Sequence, residues 1–122
     1  MTKRPNILLI VADDMGYGDL GIFSEGRVKT PNLDRLVSEG VTMQQHYTAS
    51  PICSPARAAL LTGRYPQRTG SLGQYYLFGL DRIALRETTI ADTFKSSGYR
   101  TGLVGKWHKG CFDKRFEPNA RA

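Results

Sequence analysis

The chain begins with an apolar run, Ile7-Leu8-Leu9-Ile10-Val11-Ala12, that gives way abruptly to Asp13-Asp14. A short continuous run of this kind, rich in β-branched residues and without polar alternation, predicts a central strand of a parallel sheet. The pattern then turns helical. Thr30 suits a cap and Pro31 the first helical position, Leu33, Leu36 and Val37 recur on one face, and Gly40 closes the segment. A second helix is predicted with Ser54 as N-cap, Pro55 at the first helical position, the strong helix formers of Ala56-Arg57-Ala58-Ala59-Leu60-Leu61-Thr62, and Gly63 as stop. Thr89 and Asp92 form the pattern of a capping box for a third helix carrying Ile90 and Phe94, closed by Gly98. The apolar stretch Gly102-Leu103-Val104 follows. An order of strand, helix, strand, helix, helix, strand places the chain in the α/β class, with a parallel sheet covered on both faces.

About three strands are too few for such a sheet, because missing neighbours leave apolar faces and edges open to water. Length alone would allow one small domain at 122 residues. The pattern instead predicts that residues 1–122 are an incomplete part of a larger sheet, unstable or aggregating when expressed alone. Charge narrows the partners. Lys and Arg number 17 against 11 Asp and Glu, a net charge of +6, yet the cations are scattered. No dense basic tract or aromatic-basic platform is present, which argues against nucleic acid as a partner, while a basic balance suits acidic substrates. Two cysteines make no disulfide framework, and Cys111 reads as a plain thiol. Lys3-Arg4 ahead of the apolar run faintly mimics a signal peptide, but the run is too short and leads straight into the acid pair. The compartment stays open between cytoplasm and export with a leader missing. No apolar stretch is long enough to span a membrane, so no membrane partner is expected.

The chemistry concentrates at Cys53-Ser54-Pro55-Ala56-Arg57. In the predicted frame Cys53 lies just outside a helix N-terminus, where unpaired N–H groups and the dipole favour anions by roughly 0.3–1 kcal/mol per charge. Arg57, one turn in, can lean back toward that end. Taken singly, Cys53 would be a small buried hydrophobe and Arg57 a solvated charge. Two other places invite a functional reading. Asp13 and Asp14 follow a predicted strand at the end where open α/β sheets bind ligands, although an acid pair alone is commonly a solvated turn. Lys106 and His108, in Gly105-Lys106-Trp107-His108-Lys109-Gly110, can supply a positive charge and a proton-transfer group.

The segment from Tyr47 to Arg64, with Cys-x-Pro-x-Arg followed by Leu-Leu-Thr-Gly at its core, resembles the signature of the type I sulfatases in the alkaline phosphatase superfamily. Asp13-Asp14 and Gly105–Gly110 match two further family segments, and the resemblance runs from about Asn6 to Gly110. It implies the parallel-sheet sandwich of the alkaline phosphatase/sulfatase type, present here as its amino-terminal portion. It also implies that Cys53 is oxidised by a formylglycine-generating enzyme that reads Pro55 and Arg57. The resulting formylglycine hydrates; one hydroxyl would attack the sulfur of a sulfate ester and expel the alcohol, and the other would lose its proton as sulfate leaves by elimination. Arg57 would stabilise the hydrate, and Lys106 and His108 would contact the sulfate. Asp13, Asp14 and the modified Cys53 would be ligands of a divalent cation, Ca²⁺ or alternatively Mg²⁺. The family's downstream Asp and Asn ligands and its second His and Lys match no position here. Lys109 stands where the family motif has Leu, a departure expected to alter local packing and add charge near the pocket rim. Two other readings are a phosphonate or phosphate ester hydrolase of the same superfamily and a non-catalytic interaction module. Retention of Asp13, Asp14, Cys53, Arg57, Lys106 and His108 argues against the second of these.

Overall fold

The computed structural model describes residues 4–73, 81–110 and 114–117. The chain divides into two units, Met1–His46 and Tyr47–Ala122. In the first, helix α1 spans Pro31–Glu39, with Thr30 at its N-cap and Gly40 at its C-cap. Both positions follow the sequence pattern, but the cap chemistry differs. The Thr30 hydroxyl makes no capping bond; it accepts from the Gly21 N–H at 2.7 Å and donates to Asp34 Oδ1 at 2.8 Å. Asp34 Oδ1 also accepts from the Ile22 N–H at 3.0 Å. The start of α1 is thereby tied to the 3₁₀ turn Gly21–Phe23. Gly21 is required there, since a Cβ would collide with the Asp34 carboxylate.

Residues 6–12 take up no regular secondary structure, and no strand forms among the described residues. Leu8 and Ile10 are 85% and 76% exposed. The predicted strands at 6–12 and 102–104 are therefore not seen as strands. A strand exists only through ladder bonds to a neighbour, and the described residues supply none. The apolar stripe of α1 is exposed too, at Leu33 and Leu36. None of the buried apolar side chains of the described residues belongs to this unit.

The second unit holds the core. Helix α2 spans Cys53–Thr62, α3 Pro66–Thr69 and α4 Ile90–Ser96. Helix α2 packs against both α3 and α4, through a face on which Ala58 and Ala59 are buried and keep the backbones close. Gly63 ends α2 in the left-handed conformation, φ 65°, its N–H returning to the Ala59 carbonyl, as the pattern predicts. The capping box of α4 forms as expected: Thr89 Oγ1 accepts from the Asp92 N–H, and Asp92 Oδ2 accepts from the Thr89 N–H at 2.7 Å. Phe94 and Tyr99 meet edge to face across its end. Ile83, 2% exposed, and Phe116 complete the apolar centre. Glu87, buried at its side chain, is paired with Arg64 at 2.6 Å. A shallow depression of about 140 Å³ is lined by Gly70, Arg82, Ala84 and Phe116. No helix among the described residues is long and apolar enough to cross a membrane.

Candidate active site

Cys53 is the first residue of α2, half-buried, with Ile52 as an extended N-cap. This corrects the frame read from the sequence, in which Ser54 caps and Cys53 lies outside the helix. Ile52 offers no capping oxygen, and its own N–H is received by Ser50 Oγ at 3.3 Å. Ser54 is fully buried and its hydroxyl turns inward. It donates to the Asp81 carbonyl at 3.0 Å, receives Lys109 Nζ at 2.9 Å and lies 3.3 Å from Ser71 Oγ. A cap is worth about 1 kcal/mol, less than a carbonyl bond combined with a charge-assisted one. Pro55 moves to the third position, where its missing N–H has no helical partner to lose. The first turn still directs its dipole and free N–H groups toward the end that carries Cys53.

The segment from Gly105 to Gly110 has no regular secondary structure and three positive φ angles, 111° at Gly105, 55° at His108 and 88° at Gly110. Histidine is among the non-glycine residues enriched in this left-handed region. Tertiary bonds therefore define the shape of the loop. Arg57 Nη1 donates to the Lys106 carbonyl at 2.8 Å. Trp107 Nε1 donates to the carbonyls of Lys109 at 3.0 Å and Phe116 at 2.7 Å. The Gly110 N–H donates to Asp81 Oδ2 at 3.0 Å. A Cβ on residue 110 would stand 2.5 Å from Phe116 Cβ, so glycine is needed on both counts.

Cys53, Arg57, Lys106 and His108 thus belong to one unit, with Arg57 in direct contact with the backbone of Lys106. His108 is held below the ordinary imidazole range, first by burial and then by the positive charges of Lys106, Lys109 and Arg57, with Asp81 opposing. A neutral ring at neutral pH follows.

Lys109 is not at a rim. It is 1% exposed, with Nζ donating to Ser54 Oγ at 2.9 Å and Ser71 Oγ at 3.0 Å. Burial pushes its pKa down to about 7, with Asp81 pulling upward and Arg57 adding to the fall. The long alkyl stem is buried with the head group, and two hydroxyls receive the amine.

Asp13 and Asp14 lie in the first unit and are exposed, Asp14 with φ 58°. Adjacent carboxylates have the right chemistry for a hard cation, but even with both bidentate they supply at most about four of the roughly six to eight oxygens that Ca²⁺ takes. Among the described residues no group of three or more His, Cys, Asp or Glu side chains could hold a metal. The donor type fits the cation and the donor number falls short. Cys111 lies outside the described residues. Sequence reasoning missed Ser71 and Asp81 altogether. The signal for the cluster was a charged residue in an otherwise apolar slot at Lys109.

Comparison with known proteins bears on the same stretch. Residues 5–119 match the family described as Sulfatase. Over 115 residues the chain is 50% identical to arylsulfatase H of Canis lupus familiaris, covering 88% of this chain and 20% of that protein. It is 50% identical over 112 residues to steryl-sulfatase of Rattus norvegicus, covering 87% and 19%. A solved structure, described as the crystal structure of Ps i-CgsB, superposes with a TM-score of 0.87 at 40% identity, over 98% of this chain and 26% of that one. The chain therefore spans about a fifth of the length of the curated relatives it matches.

Proposed function

The chain belongs to the sulfatase family, and from that premise we propose that it carries the nucleophile-bearing part of an enzyme that hydrolyses sulfate esters, aryl sulfates being the first substrates to test. The superposition with a solved relative supports the same fold, and we propose that the parallel sheet completes itself around residues 6–12. The observation that carries the functional reading is the joining of the N-terminal half of α2 to the Lys106–His108 loop through Arg57.

In this reading Cys53, converted by a formylglycine-generating enzyme, supplies a hydrated aldehyde as nucleophile. Its place at the start of α2 favours the developing negative charge on the sulfate oxygens. Arg57 and Lys106, joined through the Lys106 carbonyl, would add two positive charges to the site. His108, held neutral, is suited to receive a proton. Asp13 and Asp14 would hold part of the Ca²⁺ or Mg²⁺ sphere, with the remaining ligands supplied from elsewhere in the protein.

The experiment is co-expression with a formylglycine-generating enzyme, followed by peptide mass mapping with a hydrazide probe and an aryl sulfate assay. An aldehyde is expected at Cys53 and not at Cys111, because only Cys53 has Pro and Arg at the required offsets, and turnover should vanish in Cys53→Ala. Turnover that survives Cys53→Ala would overturn the reading.

A further inference from the structure

The loop of Lys106 and His108 meets the N-terminal half of α2 at two points. One is the Arg57 bond to the Lys106 carbonyl, 2.8 Å. The other is the Lys109 bond to Ser54, 2.9 Å, in the residue next to Cys53. A third member closes the circuit. Asp81 receives Ser54 on its carbonyl at 3.0 Å and the Gly110 N–H on its carboxylate at 3.0 Å, so both ends of the contact share one buried anchor. Ser71 Oγ, 3.3 Å from Ser54 Oγ, also receives Lys109 Nζ, at 3.0 Å. The need for such a fastening is visible in the backbone. The start of α2 has no side-chain cap, and the loop has neither ladder nor helix bonds to fix it while His108 adopts a positive φ.

We propose that Lys109 is a positioning residue for the reaction: through Ser54, and with Ser71 and Asp81 as its supports, it sets the register between Cys53 on α2 and Lys106 and His108 on the loop. A Leu in the same slot packs but cannot bridge. The inference rests on the sulfatase reading for its effect on turnover, and on geometry alone for its effect on Cys53. Groups misplaced by about 1 Å can cost on the order of 10²-fold in rate, so a loosened register is read in kcat rather than in substrate binding.

The test uses the whole protein with three variants, Lys109→Leu, Ser54→Ala and the double variant, and two readouts. With formylglycine-bearing enzyme, Lys109→Leu should lower kcat for an aryl sulfate by about 10-fold or more, with KM within about two-fold and no fall in Tm. On unmodified protein, the alkylation rate of the Cys53 thiol by iodoacetamide should change several-fold in the same variant. The double variant should do no worse than Ser54→Ala, since that change already breaks the Lys109 connection together with the bond to the Asp81 carbonyl. Unchanged kcat and thiol rate in Lys109→Leu, or losses that multiply in the double variant, would overturn the proposal. If the wild type hydrolyses no sulfate ester, the functional reading fails and the thiol rate alone decides the role of Lys109. If Lys109→Leu does not fold, Ser54→Ala, which deletes one oxygen, decides by the same two readouts.

Discussion

Raising the pH from about 7 to about 10 should stabilise the unit that holds Lys109, and Lys109→Leu should remove most of that gain. The folded amine has its pKa lowered from 10.5 to about 7, so between these values the unfolded chain binds a proton that the folded one does not, and stability rises with pH across the window. The full difference, at about 1.4 kcal/mol for each power of ten, is roughly 5 kcal/mol against the charged form below pH 7. About 3 kcal/mol of it should be recovered between pH 7 and pH 10. Even half of that is large beside a total stability of ~5–15 kcal/mol.

Leu in place of Lys109 leaves Ser54 its bond to the Asp81 carbonyl and leaves Ser71 and Ser54 facing each other at 3.3 Å. The variant therefore loses about two hydrogen bonds, at ~1 kcal/mol each, and sheds the larger burial penalty. At neutral pH it should be the more stable protein by about 2 kcal/mol. Urea unfolding of wild type and variant at a series of pH values from 7 upward reads the difference, since the titrating groups that Lys109 does not influence cancel between them and His108, which it does influence, is neutral there. A wild-type curve parallel to that of Lys109→Leu, or one that falls as pH rises, would refute the assignment of a buried amine. On the acid side the sign is the same for His108. Its folded pKa lies below 6.5, so the unfolded chain protonates first and stability is lost as pH falls through and below that value.

Three other outcomes follow from named contacts. Thr89→Ala breaks the reciprocal cap of α4 and should cost about 1 kcal/mol, measured as a shift in urea midpoint with unchanged slope. In the whole protein, Asp13→Ala or Asp14→Ala should lower activity and Ca²⁺ affinity together, followed by assay and calorimetry; retention of both quantities would return the acid pair to a plain turn. Residues 1–122 alone should aggregate, since Leu8, Ile10, Leu36 and Val41 stand open to water, and polar replacements at Leu8 and Ile10 should raise the soluble fraction in a sedimentation assay.

What the sequence revealed was what is encoded within one helical turn. Gly63 as a left-handed stop, the Thr89–Asp92 box and Pro31 at the head of α1 are each decided by neighbours three or four residues away, so the pattern and the structure agree. The apolar run at 6–12 is a different kind of signal. It states that the segment should be covered, not by what, and a strand is a relation between segments. Its exposure here is the unfilled half of that relation. Cys53, Arg57, Lys106 and His108 could be proposed as site residues because their spacing carries a motif, and the structure adds that Arg57 is bonded to the loop of the last two.

The start of α2 shows why local rules give way where a site is built. Ser54 before Pro55 satisfies every local criterion for a cap, yet its hydroxyl is committed to residues 27 and 55 positions away in sequence. Only the charge at Lys109 pointed there. A buried ammonium requires acceptors, and because a buried amine without them costs far more than a missing cap, the Ser54 and Ser71 hydroxyls are drawn to it, with the Asp81 carbonyl receiving Ser54 in turn. The helix then begins two residues earlier than its capping pattern indicates, and Cys53 enters its first turn. Lys109 is thus bonded to the residue next to Cys53, the contact through which the proposed positioning would act.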